Sequence, residues 1–157
     1  MKSAGLRKHS PLGGPRHDAD EKALIALAAF TGLTGVVGGA MLMARPDGSL
    51  LQVAPSALAA LARHSPFSDF FIPGLLLAGV VGGGMLGAAT LLVQRRPYAL
   101  EAAMAAGGVL VIFEIAEFGA IGFMPLQVVE GVVGLLVLGL AARRWLAEVH
   151  PLRHALH

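Results

Sequence analysis

Residues 71–122 have the sequence FIPGLLLAGVVGGGMLGAATLLVQRRPYALEAAMAAGGVLVIFEIAEFGAIG. Two apolar stretches, 71–93 and 98–122, flank the short charged connection QRRP. A helix that crosses a bilayer needs about 20 mostly apolar residues, and each stretch is long enough. We therefore predict two transmembrane helices that are joined by a turn.

Two further apolar stretches, about 23–44 and 125–142, have the same character. Of the 157 residues, 55% are hydrophobic and only 14% are charged, which is far more apolar than a soluble domain of this size needs. The sequence therefore predicts an all-α, polytopic membrane protein, a bundle of four transmembrane helices within 23–146. The segment PSALAALAR, 55–63, is too short to span and is predicted to be a short interfacial helix in the first outer loop.

The basic residues predict the orientation. All but two of the 12 lysines and arginines flank the spans on one side, and only Arg45 and Arg63 lie on the other. The positive-inside rule then places both termini and the QRRP turn in the cytoplasm, so we expect a multi-pass protein of a bacterial inner membrane. Residues 1–22 are predicted to form a flexible cytoplasmic arm, and 147–157 a cytoplasmic tail.

Glycines predict how the helices pack. Small residues let helix backbones approach closely inside a bilayer, where the hydrophobic effect adds little. All four predicted spans offer such positions, with Ala103, Gly107 and Gly108 on the third, and we expect helix contacts at Gly35, Gly39, Gly79, Gly83, Gly87, Gly131 and Gly134. These faces suit packing within one bundle, a homo-oligomer or contact with another subunit.

Acidic residues inside the predicted spans are the strongest functional signal. Glu114 and Glu117 are three residues apart, so they share one face of the third helix. Glu130 lies about as far after the third turn as Glu117 lies before it, and Gln127 precedes Glu130 by three residues. We predict a polar pocket, open toward the outside, formed by these four residues together with Thr34 of the first span.

The predicted pocket has several possible roles. An ionised carboxylate at mid-membrane costs about 2.5 to 3.5 kcal/mol, and no span contains a lysine or arginine to offset it. At least some of the glutamates are therefore expected to be protonated. Otherwise they hold a cation, meet water, or pair with Arg63 or His64 of the first loop. A purely structural role, with hydrogen bonds that join helices, and pairing with a basic residue of a partner protein also fit.

Several classes of function find no support in the sequence. Cysteine is absent, so thiolate metal sites, disulfides and cysteine nucleophiles are excluded. All six histidines lie outside the predicted spans, and the Glu-x-x-His pattern of helical di-metal sites is missing. We predict no metal site and no cofactor. The basic residues form no patch with aromatic residues, so we expect no nucleic-acid partner.

The segments ARPDGSLL, SPFSDFFIPGLLLAGVVGGG and QRRPYA, with the PLQ start of the fourth helix, resemble an uncharacterised family of four-helix bacterial inner-membrane proteins. The resemblance covers about residues 23–142 and implies the four-helix fold. In that family the third helix tends to carry a tryptophan and a glutamine where this chain has Phe113, Glu114 and Glu117. The architecture is also distantly similar to that of DoxX-type proteins.

Three functional hypotheses follow from these observations. The first is a non-enzymatic accessory or assembly subunit of a membrane complex that docks through its glycine faces. The second is a proton- or cation-coupled transporter or binder of a small polar ligand that uses the carboxylates. The third is a membrane enzyme or quinone-site subunit, although no nucleophile motif supports an enzyme.

Overall fold

A computed structural model describes residues 15–154 of the chain, with side chains described for 19–148. The described part is helical and contains five α-helices, which are α1 (Pro15–Ala44), α2 (Pro55–His64), α3 (Phe71–Val93), α4 (Ala99–Ile121) and α5 (Pro125–His154). One short 3-10 turn, Ser49–Leu51, lies between α1 and α2.

Four of these helices are long and apolar enough to cross a membrane. The qualifying stretches are Ala19–Ala44, Phe71–Val93, Ala99–Ile121 and Pro125–Glu148. The prediction of four apolar helices is thereby confirmed by length and composition.

The first and last helices extend beyond their predicted spans. α1 already begins at Pro15, so residues 15–22 of the expected flexible arm are helical, whereas 1–14 lie outside the described residues. α5 continues to His154, well past residue 142, and 155–157 lie outside the described residues. The extension has a simple cause, because backbone hydrogen bonds within a helix do not require apolar side chains.

Ion pairs join these extensions at one end of the bundle, which we call the charged end. Asp20 of α1 pairs with Arg143 of α5. Glu21 contacts Arg144 of α5 at 2.9 Å and Arg95 of the α3–α4 turn at 3.7 Å. The start of α1 and the last turns of α5 are therefore held together beside the α3–α4 turn.

The bundle is organised in two packed pairs. α1 lies along α3, α4 lies along α5, and α3 also packs on α4. These contacts enclose a main core whose members include Leu24, Ala28, Val81, Met85, Leu110 and Val137. α2 packs on α4, away from the charged end. A second apolar cluster lies there, which we call the end cluster; it contains Leu42, Ala57, Leu61, Phe70, Ala120, Ile121 and Met124.

The contact between α1 and α3 depends on small residues. A Cβ atom added to Gly82 would lie 2.7 Å from the backbone nitrogen of Val36. One added to Gly35 would lie 3.2 Å from the Cα of Gly82, and one added to Gly74 would lie 2.8 Å from the Gly39 carbonyl oxygen. Side chains at these positions would force the two helices apart.

The predicted row Gly79, Gly83 and Gly87 does not lie at this contact. Gly79 and Gly87 have no neighbouring atom within 4 Å of an added Cβ, and Gly83 has only the Ala78 carbonyl of its own helix, at 3.8 Å. α3 instead turns toward α1 the face that combines Gly74 and Gly82. That face also carries the larger Met85 and Leu92, which fill the main core.

The backbone of α3 is not uniform along its length. Its middle segment, Leu77–Gly82, is a π-helix, and the N–H of Gly83 reaches the carbonyl of Ala78, five residues earlier. Such segments accommodate one extra residue within an otherwise regular helix. The segment includes Val81 and Gly82, which are both buried.

Candidate functional site

Four polar residues form a layer between α4 and α5. We call Glu114, Glu117, Gln127 and Glu130 the polar layer. At 1.5 Å per residue, Glu114 lies about 10 Å and Glu117 about 6 Å along α4 from its end at Ile121. Along α4 the layer therefore lies between Leu110, the last buried residue of the main core on this helix, and Ala120 of the end cluster, while Leu77 of α3 packs against both clusters.

Glu114 is the most deeply buried member of the layer. Its side chain is 5% exposed, and both carboxyl oxygens are shielded from solvent without a hydrogen-bond partner. The side chains of Glu130 and Glu117 are its acidic neighbours. Gly131 of α5 lies beside it, where an added Cβ would be in ordinary van der Waals contact with the Glu114 Cγ at 4.0 Å. Glu114 is thus buried beside two other acidic side chains.

Gln127 holds the start of α5 and also reaches the layer. Its Oε1 accepts the backbone N–H of Met124 at 2.9 Å. Met124 directly precedes Pro125, the first helical residue, so Gln127 satisfies one of the N–H groups that a helix start leaves unpaired. Its Nε2 is buried without a partner, and Glu117 is the neighbouring carboxylate. The Pro-Leu-Gln spacing contains the signal for this capping role, which the sequence analysis missed.

Thr34 does not belong to the polar layer. Its side chain is exposed, and its Oγ1 donates to backbone carbonyls of its own helix, Phe30 at 3.0 Å and Thr31 at 3.1 Å. The sequence pattern could not predict the direction in which Thr34 points. Because Gly35 and Gly39 turn toward α3, Thr34 turns outward.

The described residues provide no counter-charge for the layer. Their ion pairs all lie at the charged end. Arg63 is exposed and its Nε donates to the Ala59 carbonyl at 3.0 Å, while His64 is also exposed, so the pairing that the sequence left open is not formed. Within the described part of the chain, no group of three or more His, Cys, Asp or Glu side chains is arranged to hold a metal ion.

The geometry limits what can occupy the neighbourhood of Glu114. Because solvent cannot touch either carboxyl oxygen, no vacancy of water size adjoins them. A hydrated cation or a small organic ligand needs such a vacancy, whereas a proton does not. An ionised carboxylate at this place would also lack both water and a counter-ion, which is costly. The arrangement therefore suits a group that holds a proton.

No protein-family model, curated protein or solved structure matches this chain. The resemblance to four-helix inner-membrane proteins stays a prediction from the sequence. Function is accordingly inferred from the residues of the polar layer and from the surfaces of the helices.

Proposed function

We propose that this protein binds and releases a proton at Glu114 within the membrane, as a proton-coupled binder or transporter. The observation that carries the proposal is the burial of both Glu114 oxygens with no hydrogen-bond partner and no ion pair among the described residues. A carboxyl group in such surroundings favours its neutral form, because only the charged form needs water or a counter-ion.

The neighbouring carboxylates give the proton a route. Glu130 and Glu117 adjoin Glu114 and are both partly exposed, and Glu117 lies about 6 Å from the end of α4, so they can accept a proton from Glu114 and pass it toward the water at that end. On the other side of Glu114 the main core begins at Leu110, whose side chain is 1% exposed. The route is thus open toward one side of the bundle only.

The orientation of this route is part of the proposal. We place the charged end, and with it both termini, on the cytoplasmic side of a bacterial inner membrane. The excess of lysine and arginine on that side supports this placement. The polar layer then exchanges its proton with the outer side.

Infrared spectroscopy of the full chain in lipid vesicles tests the proton site. We expect a carbonyl band of a protonated carboxylic acid at neutral pH, which disappears in Glu114→Gln. Glu101→Gln is the matched control, because Glu101 lies on the same helix but is exposed and accepts a hydrogen bond from Trp145 at 3.0 Å. A wild-type protein without this band, or a band that persists in Glu114→Gln, refutes the proposal.

A second candidate function is a non-enzymatic accessory or assembly subunit of a membrane complex. The observation that favours it is the outward face of α3, where Gly79, Gly84 and Gly87 are exposed and have no neighbour within 4 Å of an added Cβ. A surface without side chains lets another helix approach closely.

The apparent size of the protein after extraction from native membranes in mild detergent tests this second function. Gly84→Leu should release a bound subunit, whereas Gly139→Leu on α5, at another position with open space, should not. A chain that runs as a monomer at every protein load argues against an accessory role.

A further inference from the structure

Glu117 and Glu130 lie at one edge of the contact between α4 and α5. Both are partly exposed, and their sequence neighbours Phe118 and Val129 are exposed apolar residues. We call Glu117 and Glu130 the acidic edge. Carboxylates therefore reach the surface of the bundle inside apolar, membrane-spanning stretches, with Glu117 about 6 Å from the end of α4.

We propose that the acidic edge docks a transmembrane helix of a partner protein, and that this helix carries a lysine or arginine at the depth of Glu117. A charge that faces lipid is expensive, and ionisable residues inside a membrane are almost always paired or face water. A basic side chain on a neighbouring helix provides the missing partner and a hydrogen bond for each carboxylate.

This chain does not contain the required cation. Every described lysine and arginine lies at the end of a span or, like Arg63 of α2, in a segment that connects two spans. A second copy inserted in the same direction would present its basic residues at those same levels. The arrangement of charge therefore favours a different protein over a second copy.

A second observation points inward from the same edge. Glu114 is 5% exposed, has no hydrogen-bond partner and adjoins Glu130. The acidic edge is thus the outer part of a cluster with several acceptors and no described donor of positive charge. A single ammonium or guanidinium group at the edge would offset the repulsion within the whole cluster.

This inference goes beyond the proton site and does not depend on it. If Glu114 holds a proton, Glu117 and Glu130 still have no basic partner among the described residues. The experiment therefore leaves Glu114 unchanged and reads helix association instead of protonation, so the two proposals can fail separately.

Energy transfer between the labelled full chain and a synthetic transmembrane peptide in lipid vesicles tests the docking. The peptide is a leucine–alanine helix with one lysine at the depth of Glu117, and the reference peptide has norleucine at that position. We expect the lysine peptide to associate about tenfold more tightly than the norleucine peptide, as polar contacts between membrane helices allow.

Substitution of the acidic edge gives the second reading. The double variant Glu117→Gln/Glu130→Gln should lose the preference for the lysine peptide, whereas Glu101→Gln should keep it. Equal association of the two peptides with the wild-type chain overturns the proposal, and this comparison needs no variant to fold. Self-association of the wild-type chain that the double variant abolishes overturns it as well, because a second copy would then cover the edge.

Discussion

Gly107 of α4 and Gly134 of α5 are in backbone contact. A Cβ atom added to Gly107 would lie 2.8 Å from the Gly134 carbonyl oxygen and 2.8 Å from the backbone nitrogen of Leu138. Neither neighbour is the flexible end of a side chain, so the helices themselves would have to move. This contact sets how closely the two helices that carry the polar layer can approach each other.

Gly107→Ala should therefore destabilise the bundle by about 1 to 3 kcal/mol, the usual range for an overpacked site. Gly108→Ala is the matched control, since an added Cβ there meets nothing within 4 Å and alanine favours a helix. Reversible unfolding in mixed micelles measures both. Similar stabilities of the two variants would contradict the contact.

Gly82→Ala should separate α1 from α3. The added Cβ would lie 2.7 Å from the Val36 backbone nitrogen and 3.0 Å from the Gly32 carbonyl oxygen. We expect a loss of unfolding free energy of about 1 to 3 kcal/mol. Gly79→Ala, on the outward face of the same helix, should be neutral. The opposite ranking would restore the glycine row predicted from the sequence.

Two substitutions of Gln127 separate its acceptor from its donor. Gln127→Leu removes the acceptor of the Met124 N–H and should cost about 1 kcal/mol of unfolding free energy. Gln127→Glu keeps an oxygen for that N–H but replaces the buried Nε2 with a second oxygen, which adds another carboxyl group to the polar layer. It should retain the helix start and alter the infrared carboxyl bands. Hydrogen exchange at Met124 should accelerate in the leucine variant only.

Glu21 joins α1 to both other parts of the charged end. Its partner Arg144 has a side chain that is only 15% exposed, whereas that of Arg95 is 83% exposed, so we expect the Arg144 pair to dominate. Glu21→Gln should lower the unfolding free energy by about 1 kcal/mol, with a smaller effect at high salt. Glu148→Gln, at an exposed position on α5, should change little. An equal loss in both variants would show that the pairing is unimportant.

Asp47, in the loop after α1, should give that loop a pH dependence. The Ser49 N–H donates to Asp47 Oδ1 at 3.0 Å, and with Arg45 nearby it holds the pKa of Asp47 below its ordinary value of 3.8. A lowered pKa means that the interaction is present above 3.8 and is lost as the pH falls through the lower value. The Ser49 amide chemical shift should titrate below 3.8 in the wild type and stay flat in Asp47→Asn. A midpoint above 3.8 would contradict the contact.

Sequence patterns predicted the presence of the long helices better than the residues at which they begin and end. Apolar length located α3 at 71–93 and α4 to within one residue at each end, because a bilayer requires a minimum run. The same criterion ended the fourth span at 142, where Arg143 and Arg144 begin. The helix continues through these arginines, which pair with Asp20 and Glu21 of α1, and such pairs between distant residues cannot be seen in a local pattern.

The direction in which a residue points around its helix could not be predicted from the local sequence pattern. α3 has two rows of small residues at intervals of four, one through Gly74 and Gly82 and one through Gly79 and Gly87. Only the neighbouring helix decides which row is covered. Glu114 and Glu130 come together across the contact that Gly107 and Gly134 allow between α4 and α5, whereas Thr34 is exposed and bonds to its own helix.

The π-helical segment Leu77–Gly82 makes the length of α3 matter as much as its composition. Deleting one residue there would restore a regular α-helix and turn the part before the deletion by about 100° relative to the part after it. Gly74 and Met85 could then not both face inward. The segment thus acts as a fixed rotational offset between the two halves of α3, so an insertion or deletion in it would be far more damaging than one in the loop before α2.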